Sequence, residues 1–172
     1  MTRAPLAAAV LILAIARSAA WAADAPEAIP VAPALRAMDP STGEEVALDP
    51  AQGPLHLVFI ATWCRPCLSE LPKLFDLEDR WKQDGYRLVL VAVSTRQSRE
   101  RLVEFLGQGP VPGRLLFDST GTVAAAFGAT TIPVHVLTDR RGRIVARAGT
   151  LDADFRGAVE RLVRQEGRPG RP

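Results

Sequence analysis

The sequence predicts an α/β domain with a central mixed β-sheet and helices on both of its faces. Two nearly continuous apolar runs of strand length, residues 55–60 and 88–93, are typical of strands that are buried on both sides. Each run is followed by a segment with apolar residues at helical spacing, and this alternation predicts parallel strands joined by right-handed crossovers. The second half predicts a hairpin and an amphipathic helix. Because the strands of a hairpin are antiparallel, the sheet is expected to be mixed rather than all parallel.

The composition is typical of one globular domain. The chain has 172 residues, of which 48% are hydrophobic and 23% charged, and its formal net charge is +2. That charge is too small to indicate a nucleic-acid partner, and the arginines are scattered along the chain as on a solvated surface. No internal repeat is visible.

The N-terminal residues 1–22 have the features of a secretory signal peptide. A positive start precedes the apolar run 6–16, and an A-x-A cleavage pattern lies at 20–22. The run is too short to span a bilayer, which takes about 20 apolar residues. We therefore expect export to the periplasm with cleavage of the signal, the alternative being an uncleaved N-terminal membrane anchor. Residues 23–34 are predicted to be an Ala/Pro-rich linker, 35–166 the domain and 167–172 a disordered tail.

The first half of the domain contains a hairpin and two strand–helix units. Residues 35–48 predict two strands that turn at 40–43. The strand at 55–60 is followed by a helix from Pro66 to about residue 84, and the strand at 88–93 by a helix at 98–106.

The second half contains three shorter strands and a closing helix. A strand at 115–117 leads through a turn at 118–121 into one or two helical turns at 122–127. Strands at 134–137 and 144–146 flank a compact hairpin turn at 139–142. The final helix, 152–164, is predicted to bury Phe155, Val159, Leu162 and Val163.

The two cysteines of the chain, Cys64 and Cys67, could bind a metal, staple the fold or perform redox chemistry. Structural zinc needs four Cys or His ligands, and only His56 and His135 remain, without ligand spacing. A staple between positions this close constrains a very small loop and stabilises little. Redox chemistry fits better, because a cysteine at a strand-to-helix junction is favoured as a thiolate by the helix N-terminus, and a second cysteine three residues later lies on the same helical face.

The wider motif resembles the thioredoxin superfamily, and within it the exported TlpA/ResA-type thiol-disulfide oxidoreductases. The string W-C-x-P-C-x-x-E-x-P is matched by Trp63, Cys64, Pro66, Cys67, Glu70 and Pro72. Further landmarks of that family match in order at 115–118, 126–128, 131–133 and 138–144. The resemblance covers roughly residues 35–165, and it implies a thioredoxin-like fold with an added N-terminal β-hairpin.

The resemblance also implies roles for individual residues. It makes Cys64 the nucleophile and Cys67 the resolving thiol of a redox-active disulfide. It makes Pro133, after Ile132, the cis-proline of a loop that packs against the disulfide and offers its backbone to a substrate strand; only X-Pro bonds adopt cis at low cost. Trp63 is expected to support the active site.

The remaining residues of the motif allow more than one interpretation. Pro66 costs no backbone hydrogen bond in the first helical turn. Arg65 could stabilise the Cys64 thiolate, meet an acidic partner or be a loop arginine without such a role. Glu70 could relay protons to the thiols if it is partly buried, although an acid in the first helical turns is also favoured by the helix dipole.

The sequence departs from the thioredoxin pattern at one important position. Many thioredoxins carry a buried acid six residues before the first cysteine, where this chain has Val58. Glu70 is then the only nearby candidate for a proton acceptor. We interpret His135 as structural, and His56 as a packing residue.

The resemblance implies an exported protein-disulfide reductase that acts on partners of the cytochrome c or copper-site maturation type. It implies no cofactor, a membrane electron donor for re-reduction, a disulfide-containing exported protein as substrate, and a monomer. Two alternatives stay open: a disulfide oxidase or isomerase, and a non-enzymatic Cu(I)-binding module that uses the two thiolates and His135. No separate peroxidatic cysteine is present.

Overall fold

The computed structural model describes residues 35–49 and 52–166. Its strands are β1 Leu35–Met38, β2 Glu45–Leu48, β3 Leu55–Ile60, β4 Arg87–Val93, β5 Arg114–Asp118, β6 Val134–Thr138 and β7 Ile144–Ala148. Its helices are α1 Arg65–Trp81, α2 Arg99–Leu106, α3 Thr122–Ala126 and α4 Ala153–Glu166. The predicted signal peptide, linker and tail lie outside the described residues.

The strands form one mixed sheet in the order β2-β1-β5-β4-β3-β6-β7. The strands β3, β4 and β5 are parallel, whereas β6 pairs antiparallel with β3, and β7 antiparallel with β6. The hairpin of β1 and β2 joins the sheet through the antiparallel contact of β1 with β5. The predicted mixed sheet with an N-terminal hairpin is therefore confirmed.

Helices cover both faces of the sheet, as ring contacts of the central strand β3 show. His56 and Phe59 are three positions apart on β3 and therefore point to opposite faces. The ring of His56 lies 4.8 Å from that of Phe155 on α4, and the ring of Phe59 lies 5.8 Å from that of Phe127, just after α3. Every residue of β3 is buried, which explains its continuous apolar character.

The boundaries of the elements differ from the predictions by a few residues. The helix α1 ends at Trp81 and is followed by a 3₁₀ turn over Lys82–Asp84, where a continuous helix was predicted. The chain then turns at Gly85, whose φ of 87° requires the left-handed region that glycine adopts without strain. The helix α4 continues to Glu166, two residues beyond the prediction, and buries the four predicted side chains. Among the described residues, no helix is long and apolar enough to cross a membrane.

Candidate active site

Cys64 lies at the junction between the central strand and the first helix. The strand β3 ends at Ile60, and Cys64 is the N-cap residue of α1, with the extended backbone that this position requires. Its Sγ accepts a hydrogen bond from the backbone N–H of Cys67 at 3.3 Å. The sulfur is thus held at the positive end of the helix, where a thiolate would be stabilised.

Cys64 and Cys67 form a disulfide in this structure. Their sulfurs are 2.04 Å apart and their Cα atoms 5.3 Å apart. Cys67 is 1% exposed and Cys64 is 5% exposed, so the second sulfur belongs to the more buried residue, as predicted. The described residues contain no group of three or more His, Cys, Asp or Glu side chains that could hold a metal ion.

The loop after β4 braces the loop that carries the cysteines. The backbone N–H of Thr62 donates to Oε1 of Gln97 at 2.6 Å, and Nε1–H of Trp63 donates to the carbonyl oxygen of Thr95 at 3.0 Å. Gln97 is buried, and its Nε2 donates to the carbonyl oxygen of Val93 at 3.1 Å. Our reading of the sequence missed Gln97. The parallel pairing of β3 with β4 could have indicated this residue, because it brings the carboxyl ends of both strands, and so the loops that follow them, to one edge of the sheet.

A basic depression lies beside the disulfide loop. It has a volume of about 430 Å³ and is lined by Trp63, Arg96, Gln97, Ser98 and Arg101. The indole of Trp63 is 43% exposed, and the guanidinium of Arg96 stands 5.3 Å from the centre of its ring. Arg96 has a φ of 55°, a left-handed conformation that is uncommon outside glycine.

Arg65 and Pro66 are both exposed at the start of α1. Within the described part of the chain, Arg65, Arg96 and Arg101 form no ion pair with an acidic side chain. The surface around the disulfide therefore combines an exposed indole with guanidinium groups whose charge is not neutralised by a neighbouring carboxylate.

The Ile132-Pro133 peptide bond is cis, so this prediction is confirmed. Pro133 is buried and Ile132 is half-buried. The antiparallel register pairs Phe59 of β3 with Val134 of β6, which places Pro133 beside the end of β3 where the disulfide loop begins. The two segments that the resemblance assigns to the site therefore meet at one edge of the sheet.

Glu70 is buried on α1, one turn after Cys67. It is 7% exposed, its Oε1 accepts the backbone N–H of Leu151 at 2.8 Å, and its Oε2 lies 2.9 Å from Nε2 of His135. Side chains three positions apart on a helix have Cβ atoms about 5–6 Å from each other, so the carboxylate belongs to the surroundings of the Cys67 sulfur.

A chain of buried polar side chains continues from Glu70 into the core. Nδ1 of His135 lies 3.0 Å from Nε2 of His56, whose Nδ1 lies 2.6 Å from the hydroxyl oxygen of Tyr86. Both imidazoles have no exposed surface, and Tyr86 is 3% exposed. Both histidines are buried in the core, but the sequence did not reveal that they are bonded to each other and that His135 is bonded to Glu70.

Burial favours the uncharged forms of the two histidines and of Tyr86 in this chain. It lowers the pKa of His56 well below its ordinary value, and the neighbouring His135 lowers it further. It also lowers the pKa of His135, against the opposing attraction of Glu70. Burial, with Glu78, raises the pKa of the Tyr86 hydroxyl well above its usual range. Both imidazoles are therefore neutral near pH 7, and each has one N–H donor and one acceptor nitrogen.

Comparison with known proteins gives matches over most of the chain. A model of the AhpC/TSA family matches residues 30–147. The sporulation thiol-disulfide oxidoreductase A of Bacillus subtilis (strain 168) is 30% identical over 129 residues, which cover 73% of this chain and 78% of that protein. The thiol-disulfide oxidoreductase ResA of the same strain is 25% identical over 109 residues, which cover 63% of this chain and only 60% of that protein.

Solved structures share the fold. The crystal structure of StoA from Bacillus subtilis matches with a TM-score of 0.62 at 26% identity, over 76% of this chain and 99% of that one. A putative thiol:disulfide interchange protein DsbE from Chlorobium tepidum matches with a TM-score of 0.67 at 24% identity, over 82% of this chain and 98% of that one. These structures confirm the fold class predicted from the sequence.

Proposed function

The chain belongs to the AhpC/TSA family of thioredoxin-like proteins, and from this premise we propose that it is a thiol-disulfide oxidoreductase that reduces disulfides in partner proteins. The observation that carries the proposal is the disulfide itself, which joins Cys64 at the N-terminus of α1 to the more deeply buried Cys67. The relatives named thiol-disulfide oxidoreductases support the same reaction class.

The reaction begins from the dithiol form. The Cys64 thiolate attacks a sulfur of the partner's disulfide, and one partner sulfur leaves as a thiolate. Cys67 loses its proton and attacks Sγ of Cys64, which releases the second partner thiolate and forms the Cys64–Cys67 disulfide. Glu70 is the proposed acceptor of the Cys67 proton, since it is the buried carboxylate one turn away. The electron pair has then passed from the enzyme dithiol to the partner.

The enzyme leaves this cycle oxidised and needs an electron donor. In the exported location that we propose for the chain, cleaved after residue 22 or held there by an N-terminal anchor, the surroundings are oxidising. A membrane protein that carries electrons outward would supply the dithiol form, and no cofactor in the domain itself is required.

We propose that the partner docks over Trp63, Arg65 and Pro66 and pairs with the backbone at Ile132 and Pro133. Such a site suits an exported protein with an accessible disulfide and acidic residues near it, because the guanidinium groups around Trp63 form no ion pair with an acidic side chain of residues 35–49 or 52–166. Apocytochrome c and cysteine-containing proteins of copper-site maturation are the proposed client classes.

The direction of electron flow is tested by the reduction potential. The proline of the Arg65-Pro66 dipeptide is shared with reducing thioredoxins, so we expect a potential near or below about −270 mV. A potential near the strongly oxidising value of about −120 mV would instead make the protein a disulfide donor.

The Cu(I) alternative loses its third ligand, because both ring nitrogens of His135 are engaged by Glu70 and His56.

The decisive experiment is trapping of the partner with Cys67→Ser. This variant should accumulate a mixed disulfide through Cys64 and lose insulin reduction, whereas Cys64→Ser should lose both the reduction and the trapped complex. Insulin reduction at the wild-type rate by Cys64→Ser would overturn the proposed function.

A further inference from the structure

We propose that Tyr86, His56 and His135 are positioning residues that form a one-way hydrogen-bond chain and hold Glu70 ionised as the proton acceptor for Cys67. The inference rests on the proposed function and deepens it. It starts from three successive contacts between buried side chains, of 2.6, 3.0 and 2.9 Å, that end on Oε2 of Glu70.

The direction of the chain follows from the chemistry of its members. An ionised carboxylate only accepts hydrogen bonds, so Nε2 of His135 must donate to Glu70. A neutral imidazole then has an acceptor at Nδ1, and Nε2 of His56 must donate to it. By the same rule Nδ1 of His56 accepts, and the hydroxyl of Tyr86 donates. All three donors point toward Glu70, whose Oε1 also accepts the backbone N–H of Leu151.

The opposite direction leaves a buried donor unsatisfied. If Glu70 carried a proton on Oε2, it would donate to His135, and both imidazoles would have to move their proton to Nδ1. The oxygen of Tyr86 would then accept from His56, and its O–H would need another acceptor. Among the described residues, His56 is the only hydrogen-bond partner of that hydroxyl. An unsatisfied buried donor is costly, so the hydroxyl of Tyr86 fixes the direction of the whole chain.

The charged groups around the chain do not oppose this assignment. Asp152, which precedes α4, acts on His135, and Glu78 of α1 acts on Tyr86. Both are negative, so neither favours the loss of a proton from the group beside it. Cys67 lies three positions before Glu70 on α1, and in the dithiol form it supplies the proton that Glu70 accepts.

The first test reads the tautomers directly. The protein contains two histidines, so only a few imidazole ¹⁵N resonances have to be assigned. In the oxidised protein near pH 7, both rings should be neutral and protonated at Nε2. A ring that is protonated at Nδ1, or doubly protonated, would overturn the proposed direction. This measurement involves no client, so it fails or succeeds independently of the proposed function.

The second test removes one hydroxyl. In Tyr86→Phe the reversed chain leaves no buried O–H without an acceptor, so Glu70 should take up its proton more readily. We expect the pH at which the resolving attack of Cys67 reaches half its maximal rate to rise by about one unit, which is about a tenfold lower rate at a fixed pH below that point. The rate of the first attack by Cys64 should stay unchanged.

The matched control is Phe155→Leu. The ring of Phe155 lies 4.8 Å from that of His56 and 5.4 Å from that of His135, and it makes no hydrogen bond to either. This variant changes the packing around the hydrogen-bond chain but keeps the direction of its bonds. The pH at which the resolving attack reaches half its maximal rate should therefore remain that of the wild type. An equal shift of this pH in both variants would contradict the proposal. The absence of a shift in Tyr86→Phe would also contradict it, provided that this variant unfolds in urea like the wild type. A wild-type protein that does not reduce insulin would contradict the proposed function instead.

Discussion

Val58 and His135 lie directly opposite each other in the antiparallel pairing of β3 with β6. Opposite residues of a ladder point to the same face of the sheet. The strand position that carries a buried acid in many thioredoxins is therefore apolar here, and the titratable group beside it comes from the neighbouring strand. His135 contacts Glu70 from that place, which links the buried carboxylate of α1 to the centre of the sheet.

The two buried histidines should make the protein lose stability as the pH falls below about 6.5. Burial lowers the pKa of both in the folded state, so below the unfolded value of about 6.5 the unfolded chain binds protons that the native protein does not. Each imidazole can cost about 1.4 kcal/mol per pH unit in this range. The check is the free energy of urea unfolding measured between pH 7.5 and 5, where about 6.5 marks the onset.

Asp39 and Asp139 do not mask this effect in that window. The pKa values of Asp39 and Asp139 are lowered, the first by Arg114 and the second by its bonds to Arg143, so their contributions are lost only at more acid pH. His56→Gln should show a smaller slope than wild type. A free energy of unfolding that stays flat across the window would contradict neutral burial of the imidazoles.

Gln97→Leu should destabilise the protein by about 1–3 kcal/mol, because it leaves the Thr62 N–H and the Val93 carbonyl without their partner. Urea unfolding of the oxidised form measures the loss. Gln165→Leu is the matched control, since Gln165 is an exposed residue of α4. Equal stability of the two variants would mean that the glutamine does not brace the disulfide loop.

Replacing Arg96 and Arg101 together by serine should lower kcat/KM several-fold toward a disulfide peptide flanked by glutamates. The same variant should not lose activity toward a peptide flanked by lysines. The difference should disappear in about 1 M salt, where the Debye length is about 3 Å.

Arg80→Ser is the control for this surface. Arg80 is an exposed residue near the end of α1, fifteen positions after Arg65 and hence about 22 Å from it along the helix. If Arg80→Ser lowered kcat/KM for the acidic peptide as much as the double variant does, the basic depression would not be the docking surface.

Glu70→Gln should slow the resolving attack by about 100-fold, since a carboxamide cannot take the proton of Cys67. The carboxamide oxygen can still accept the N–H of Leu151, so the fold should be kept. Quenched-flow measurement should show a long-lived mixed disulfide after a first attack at the normal rate. Glu104→Gln, at an exposed position of α2, should behave like wild type; equal lifetimes in both variants would remove Glu70 from the reaction.

The sequence was sufficient for the elements that depend on local patterns. The apolar run of β3 and the helical spacing of α1 are visible in short windows, and the cis bond before Pro133 followed from the family resemblance. The contacts of Gln97 and the chain from Tyr86 to Glu70 were not predicted. They depend on which residues of distant strands stand side by side, and that register is not visible in any local pattern.

The bond between His56 and His135 joins positions 79 residues apart, and that between Glu70 and Leu151 joins positions 81 apart. Both cysteines are therefore synthesised long before the residues that enclose them. Contacts of such long sequence separation are slow to form, because the entropy of closing a long loop opposes them. Until Leu151 has been added, the two thiols belong to a chain that cannot yet enclose them. No shorter fragment that stops before Leu151 can reproduce the enclosed site.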